Sequence, residues 1–226
     1  MDFENVHTIR QSVLQLLEQL ELLKLNTDFK YYNITNVQSL FLSQFIKLKI
    51  ASSTQDSNKN FKILEFGTSN GYSFLSILLG IIEFNYTKSR SIEQLQHYSL
   101  IGFEIDESRY NQARKNISKY LGVLDNLEIF QEDIFNSHNK VKELNLDLFD
   151  IIFVDCNQEF YEEVVRYILE HNLLSNSGSI LFENTLSHKK SFNFLSLFNK
   201  YEFEIVEFPL HNGFIELKLI EKVDSK

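Results

Sequence analysis

The 226 residues carry 31 acidic against 22 basic side chains, a formal charge of −9, with 43% hydrophobic residues. That balance suits a globular chain able to bury a core and argues against a nucleic-acid ligand, whose phosphates call for a basic footprint. One cysteine excludes an intrachain disulfide, and neither a signal-type N-terminus nor a bilayer-length apolar run is found, so a soluble, cytoplasmic protein without a membrane partner is expected.

Helix comes first along the chain. Ile9, Val13, Leu16, Leu17, Leu20 and Leu23 form an apolar stripe at helical spacing between Val6 and Leu25. A second helical stretch, Val37 to Ile50, carries Leu40, Phe41, Phe45 and Leu48. The polar, Ser-rich segment 51–60 reads as a link within a single domain, with helices over 1–50 and a core over 61–220. From Phe61 onward short apolar runs alternate with helical patterns. Strands are expected at Phe61–Phe66, Ser99–Ile105, Leu127–Gln131, Asp150–Val154 and Ser179–Phe182. Helices are expected at Tyr72–Phe84, Ser108–Leu121 (Ser108 as N-cap) and Phe160–His171, with a polar insertion at Asn85–His97. Such alternation predicts an α/β fold with a doubly wound, mostly parallel sheet. The runs Phe203–Pro209 and Phe214–Ile220 are joined by only Leu210-His211-Asn212-Gly213, too short for a parallel crossover, so they must run antiparallel.

Candidate ligand groups fall at the strand ends. Gly67 and Gly71 bracket a turn, Glu65 to Ser73, where backbone can approach a ligand closely. The spacing is not the dinucleotide G-x-G-x-x-G, and a phosphate-loop Lys is missing. Glu65 would repel a pyrophosphate yet favour the ammonium and sulfonium of S-adenosylmethionine. Glu104 closes the second strand, where a carboxylate can accept from both ribose hydroxyls. Asp133, Asp155 and Glu183 follow the next three strands. In open α/β sheets ligands bind beyond the carboxyl ends of strands, so five acids are expected to face one crevice.

These motifs resemble the cation-dependent class I O-methyltransferases, the family of the caffeoyl-CoA and catechol enzymes. Residues Ile63 to Ser73 look like their first motif; Phe149 to Asp155 with Tyr161, Gly178 to Leu186, and Phe208 to Phe214 are similar to three later ones. The likeness runs from about Ile34 to Ile220. It implies a seven-stranded Rossmann-like sheet ending in an antiparallel hairpin, and S-adenosylmethionine contacts at Glu65, Gly67, Ser69, Gly71, Tyr72, Ser73, Glu104, Asp133 and Asp155. It further implies a divalent cation (magnesium, calcium or manganese) on Asp155, Glu183 and Asn184, a small-molecule acceptor such as a catechol, and a monomer or homodimer.

Two positions depart from the family pattern. Glu183 stands where the family has Asp. Gln158 replaces a Lys that serves as general base, and Gln has no titratable group. The expected catalytic set is therefore Asp155, the Gln158 position and His211 in the last turn, with His188 a further candidate. Cys156 is read as a packed thiol, because methyl transfer from a sulfonium needs no nucleophilic sulfur. The short segment after strand five shifts acceptor recognition to the N-terminal helices and the 85–97 insertion. A methyltransferase-like binding protein with weak or no turnover is the alternative reading.

Overall fold

The computed structural model describes residues 5–24, 34–53, 60–186 and 201–222. Its strands are β1 (Phe61–Phe66), β2 (Tyr98–Glu104), β3 (Asn126–Gln131), β4 (Phe149–Val154), β5 (Leu174–Glu183), β6 (Tyr201–Phe208) and β7 (Phe214–Lys222). They form one seven-stranded sheet in the order β3-β2-β1-β4-β5-β7-β6. β1 pairs with β4, β2 with β3 and β4 with β5 in parallel, whereas β7 runs antiparallel to both β5 and β6. The helices are α1 (Val6–Lys24), α2 (Asn36–Ser53), α3 (Tyr72–Thr87), α4 (Glu107–Ile117), α5 (Ser137–Glu143) and α6 (Tyr161–Glu170). None of the described helices is long and apolar enough to cross a membrane.

The expected mixed sheet with its terminal hairpin is present, and the differences lie at element ends and in α5, where no helix was expected. The second strand stops at Glu104, leaving Ile105 66% exposed. The N-cap of α4 is Asp106, whose Oδ1 accepts from the Arg109 N–H at 2.9 Å; Ser108 already lies inside the helix. β5 begins five residues earlier than expected, because Leu174 to Gly178 stays extended through a register shift opposite Phe149 to Ile151. In the 85–97 insertion α3 runs on to Thr87, and Ser91 and Gln94 then form a capping box on a 3-10 turn, Ile92–His97. His188 lies outside the described residues.

Two compact units are distinguished, one comprising Met1–Phe61 with Thr68–Gln131, the other Lys62–Gly67 with Glu132–Lys226. In the first, α3 is apolar on all sides and buries Phe74, Leu75, Ile77, Leu78, Ile81 and Ile82 completely. The α1 stripe buries Val6, Ile9, Val13, Leu17 and Leu20. Each such aliphatic side chain contributes about 1.5–3 kcal/mol when fully removed from water. Polar ties supplement the packing: Arg10 pairs with Glu83 at 2.6 Å, and Ser12 and Tyr120 share a hydrogen bond at 3.2 Å. A Cβ added at Gly80 would come within 2.8 Å of the Ile46 Cβ, so the glycine lets α2 lie close against α3.

In the second unit β4 is buried along its whole length, the pattern of a strand covered on both faces. The apolar face of α6 buries Val164, Val165, Ile168 and Leu169. Asp150, at the start of β4, accepts the Lys62 N–H at 3.0 Å and the Ser175 hydroxyl at 3.4 Å. This satisfies a carboxylate that is only 8% exposed.

Candidate active site

Within the first unit the glycine turn is held by backbone groups. The Thr68 N–H donates to the Phe103 carbonyl at 3.2 Å, and the Gly71 N–H closes the turn on the Thr68 carbonyl at 2.9 Å. Ser69 has φ 50 and Gly71 φ 88, two left-handed residues that bend the chain into the start of α3. Asn70 Oδ1 accepts the Tyr72 N–H at 3.2 Å, and the Asn70 carbonyl accepts Asn116 Nδ2 at 2.8 Å.

Glu104 completes this region. One carboxylate oxygen accepts the Ser69 N–H at 2.7 Å and the other accepts the Asp106 N–H at 2.9 Å. An ionised carboxylate offers about four acceptor sites. Two backbone bonds thus fix Glu104 in place while its chemistry still suits a pair of vicinal hydroxyls. The Ser69 hydroxyl is buried without a hydrogen-bond partner among the described residues, a polar atom that a bound ligand would satisfy. Thr68 and Gly102 were not singled out from sequence. A Cβ at Gly102 would sit 2.5 Å from the Thr68 hydroxyl, so this β2 glycine makes room for the turn.

Tyr72 and Ser73 follow the turn at the start of α3, both buried. The Tyr72 phenol is coupled to Glu21 of α1 and Ser39 of α2. Burial first, then the Glu21 charge, raises its pKa, so the hydroxyl stays a neutral donor. Its side chain therefore belongs to the helical packing.

Within the second unit Glu65 is completely buried near the end of β1. Gly67 follows at φ 89, where an added Cβ would overlap the Asp155 carbonyl. That close approach, together with the Asp155 N–H bonded to the Phe66 carbonyl at 2.9 Å, locks the ends of β1 and β4 together. Asp133 caps the 3-10 turn Ile134–Asn136 through the Phe135 N–H at 3.0 Å.

Val154 and Phe182 are register partners, so Asp155 and Glu183 occupy equivalent places at the ends of β4 and β5. Glu183 is 2% exposed. Tyr161, also buried, donates its hydroxyl to the Glu183 carbonyl at 3.0 Å. Its pKa is driven well above the usual phenol value by burial first, then by Asp155, Cys156 and Glu183. The phenol therefore senses both carboxylates and remains protonated, unsuited to act as a base. Asn184 takes a left-handed conformation, φ 58, and its Oδ1 accepts Asn212 Nδ2 at 2.8 Å.

Gln158 is half-buried and opens a 3-10 turn capped by Asn157. His211 lies exposed in the β6–β7 turn at φ 55. Burial, with the Asp155 charge second, pushes the Cys156 thiol up to about 12. A thiol so raised is no nucleophile near neutral pH. Among the described residues no three His, Cys, Asp or Glu side chains gather as a metal would need. The donor set at the ends of β4 and β5 is two carboxylates and an amide. These are hard oxygen donors suited to magnesium or calcium, and a cation would relieve the repulsion of two acids that act on one phenol.

Residues 64–185, more than half of the chain and drawn from both units, match the model of the methyltransferase domain family. The chain belongs to this family. Catalysis of methyl transfer follows from that membership. The fold of this methyltransferase is similar to that of a Podospora anserina methyltransferase bound to S-adenosylhomocysteine, at 18% identity and TM-score 0.66 over 97% of each chain. An O-methyltransferase from Bacillus cereus, in complex with the same compound, matches at 17% identity and TM-score 0.64, over 91% of this chain and 90% of its own. The Streptomyces achromogenes O-methyltransferase of tomaymycin synthesis, in complex with S-adenosylmethionine, matches at 14% identity and TM-score 0.64 over the same shares. No curated protein matches the methyltransferase in sequence.

Proposed function

We propose that this methyltransferase uses S-adenosylmethionine to methylate a hydroxyl of a small, catechol-like molecule, assisted by a divalent cation. The observation that carries the reading is Glu104, buried and fixed by two backbone N–H groups at 2.7 and 2.9 Å, beside a turn with an unsatisfied buried Ser69 hydroxyl. Rigid acceptors of this kind suit a ribose, whose two hydroxyls reach one carboxylate.

S-adenosylmethionine, when bound, supplies an electrophilic methyl on a sulfonium. Glu65 supplies a buried negative charge suited to its cationic amino-acid end, and Asp133 an acceptor suited to the adenine amino group. Gly67, Ser69, Gly71 and Ser73 are further residues that would hold the donor. A divalent cation, when bound, supplies a Lewis acid that lowers the pKa of a hydroxyl. Asp155, Glu183 and Asn184 are the residues that would hold it. Tyr161 keeps the backbone at Glu183 in place, and positioning of acceptor against donor then supplies much of the rate.

Transfer of a labelled methyl group from S-adenosylmethionine to a catechol, with and without EDTA, tests the reading. Product that EDTA abolishes supports both parts. Turnover unchanged by EDTA removes the cation and leaves the transferase.

A second reading, donor binding with weak or no O-methylation, is favoured by Gln158. That side chain cannot take the acceptor's proton, and Tyr161 is held protonated. Binding of S-adenosylmethionine without transfer to any catechol would support it.

A further inference from the structure

We propose that Asn212, in the turn between β6 and β7, is a positioning residue that sets the amide of Asn184 for cation binding. The inference rests on the metal reading of Asp155, Glu183 and Asn184. Asn184 leaves β5 in a left-handed conformation that fixes its backbone but not the rotation of its side-chain amide. The two ends of that amide are alike in shape and opposite in polarity. Only the oxygen end can serve a hard cation.

The structure provides a donor that selects this end. Asn212 Nδ2 donates to Asn184 Oδ1 at 2.8 Å. The backbone of Asn212 is anchored, since its carbonyl accepts the Leu186 N–H at 2.6 Å and the next carbonyl, of Gly213, accepts the Thr185 N–H at 3.3 Å. A side chain at Gly213 would overlap Leu186, so the glycine lets the turn lie this close to the segment after β5. Pairing of Glu183 with Phe214 continues the same register. The hairpin thus reaches back across the end of β5 and brings the Asn212 amide to Asn184. An amide oxygen has two lone pairs, so one hydrogen bond and one metal bond coexist on it. Partners that orient a ligand in this way affect affinity about 10- to 100-fold.

The test is Mn²⁺ binding to the full chain by electron paramagnetic resonance, which needs no acceptor and no turnover. Asn212→Ala is expected to weaken Mn²⁺ binding about 10- to 100-fold with little change in the melting midpoint. Asn212→Gln, which keeps an amide donor, recovers part of that affinity. Wild-type Mn²⁺ affinity in Asn212→Ala overturns the proposal. So does an equal loss in both variants accompanied by a lowered melting midpoint, which would mark the bond as a fold contact. If the wild-type protein binds no Mn²⁺, the metal reading fails and the inference with it. That outcome is distinct from wild-type binding that the variants leave unchanged.

Discussion

The turn around Ser69 and the ends of β4 and β5 are tied together by different means. Glu104 is fixed by two backbone N–H groups, and the turn it supports is closed by backbone bonds and left-handed residues. At the ends of β4 and β5 backbone bonds tie Asp155 to Phe66 and Thr185 to Gly213, but the Glu183 carbonyl and the Asn184 amide each also meet another side chain, the Tyr161 hydroxyl and the Asn212 amide. Backbone-built geometry survives most substitutions around it. Geometry built from side chains changes with each replacement while the fold stays. Glu183 and Gln158, the two departures from the family pattern, both fall in the second kind of region. The comparison therefore separates donor binding from chemistry.

Removing the fixed acid should give the largest effect. Glu104→Ala deletes two charge-assisted acceptors for the ribose, so S-adenosylhomocysteine affinity should fall about 100-fold, roughly 3 kcal/mol. Calorimetric titration measures this, and Mn²⁺ binding should be unaffected. A parallel loss of both ligands would erase the distinction between the regions.

Gln158→Lys acts in the opposite sense on the other region. A titratable amine at that position should raise catechol methylation about tenfold or more, while S-adenosylhomocysteine affinity stays constant. Steady-state kcat and KM check it, and unchanged kcat would show that proton removal is managed elsewhere.

Cys156 should give the smallest effect. Its folded pKa of about 12 lies above the ordinary value of 9.0, so the neutral thiol is the form the fold favours. The resulting stability is complete below pH 9.0 and is lost as pH rises through about 12. Iodoacetamide should label the native protein near neutral pH more slowly than the denatured chain, and Cys156→Ala should leave turnover almost unchanged.

Periodicity and turn residues carried much of the fold into view. The alternating runs placed the ends of β1, β3 and β4 and came within two residues of the others, and the four-residue link Leu210 to Gly213 required antiparallel β6 and β7, as observed. Ser175 to Gly178 carry no apolar run to mark them as strand, yet β5 stays extended there across the register shift between its pairings of Leu174 with Phe149 and of Ser179 with Ile151. The polar helix α5, Ser137–Glu143, buries only Ser137 and Val141 and so has no apolar stripe to reveal it. At the site, the positions of Gly67 in the turn and of Glu104 at the end of β2 were legible from glycine spacing and strand alternation. The Asn212–Asn184 and Tyr161–Glu183 bonds were not, since each joins residues more than twenty positions apart with no periodic signal. The meeting of the Tyr72 phenol with Glu21 and Ser39 was likewise not legible, since it joins three separate helices.

Calorimetric titration of the wild-type protein with S-adenosylhomocysteine tests the central claim most directly. Saturable binding that persists in EDTA is predicted, since Glu104 and the glycine turn need no cation. A folded protein that evolves no binding heat at any accessible concentration, and whose melting midpoint the compound does not raise, would contradict the account.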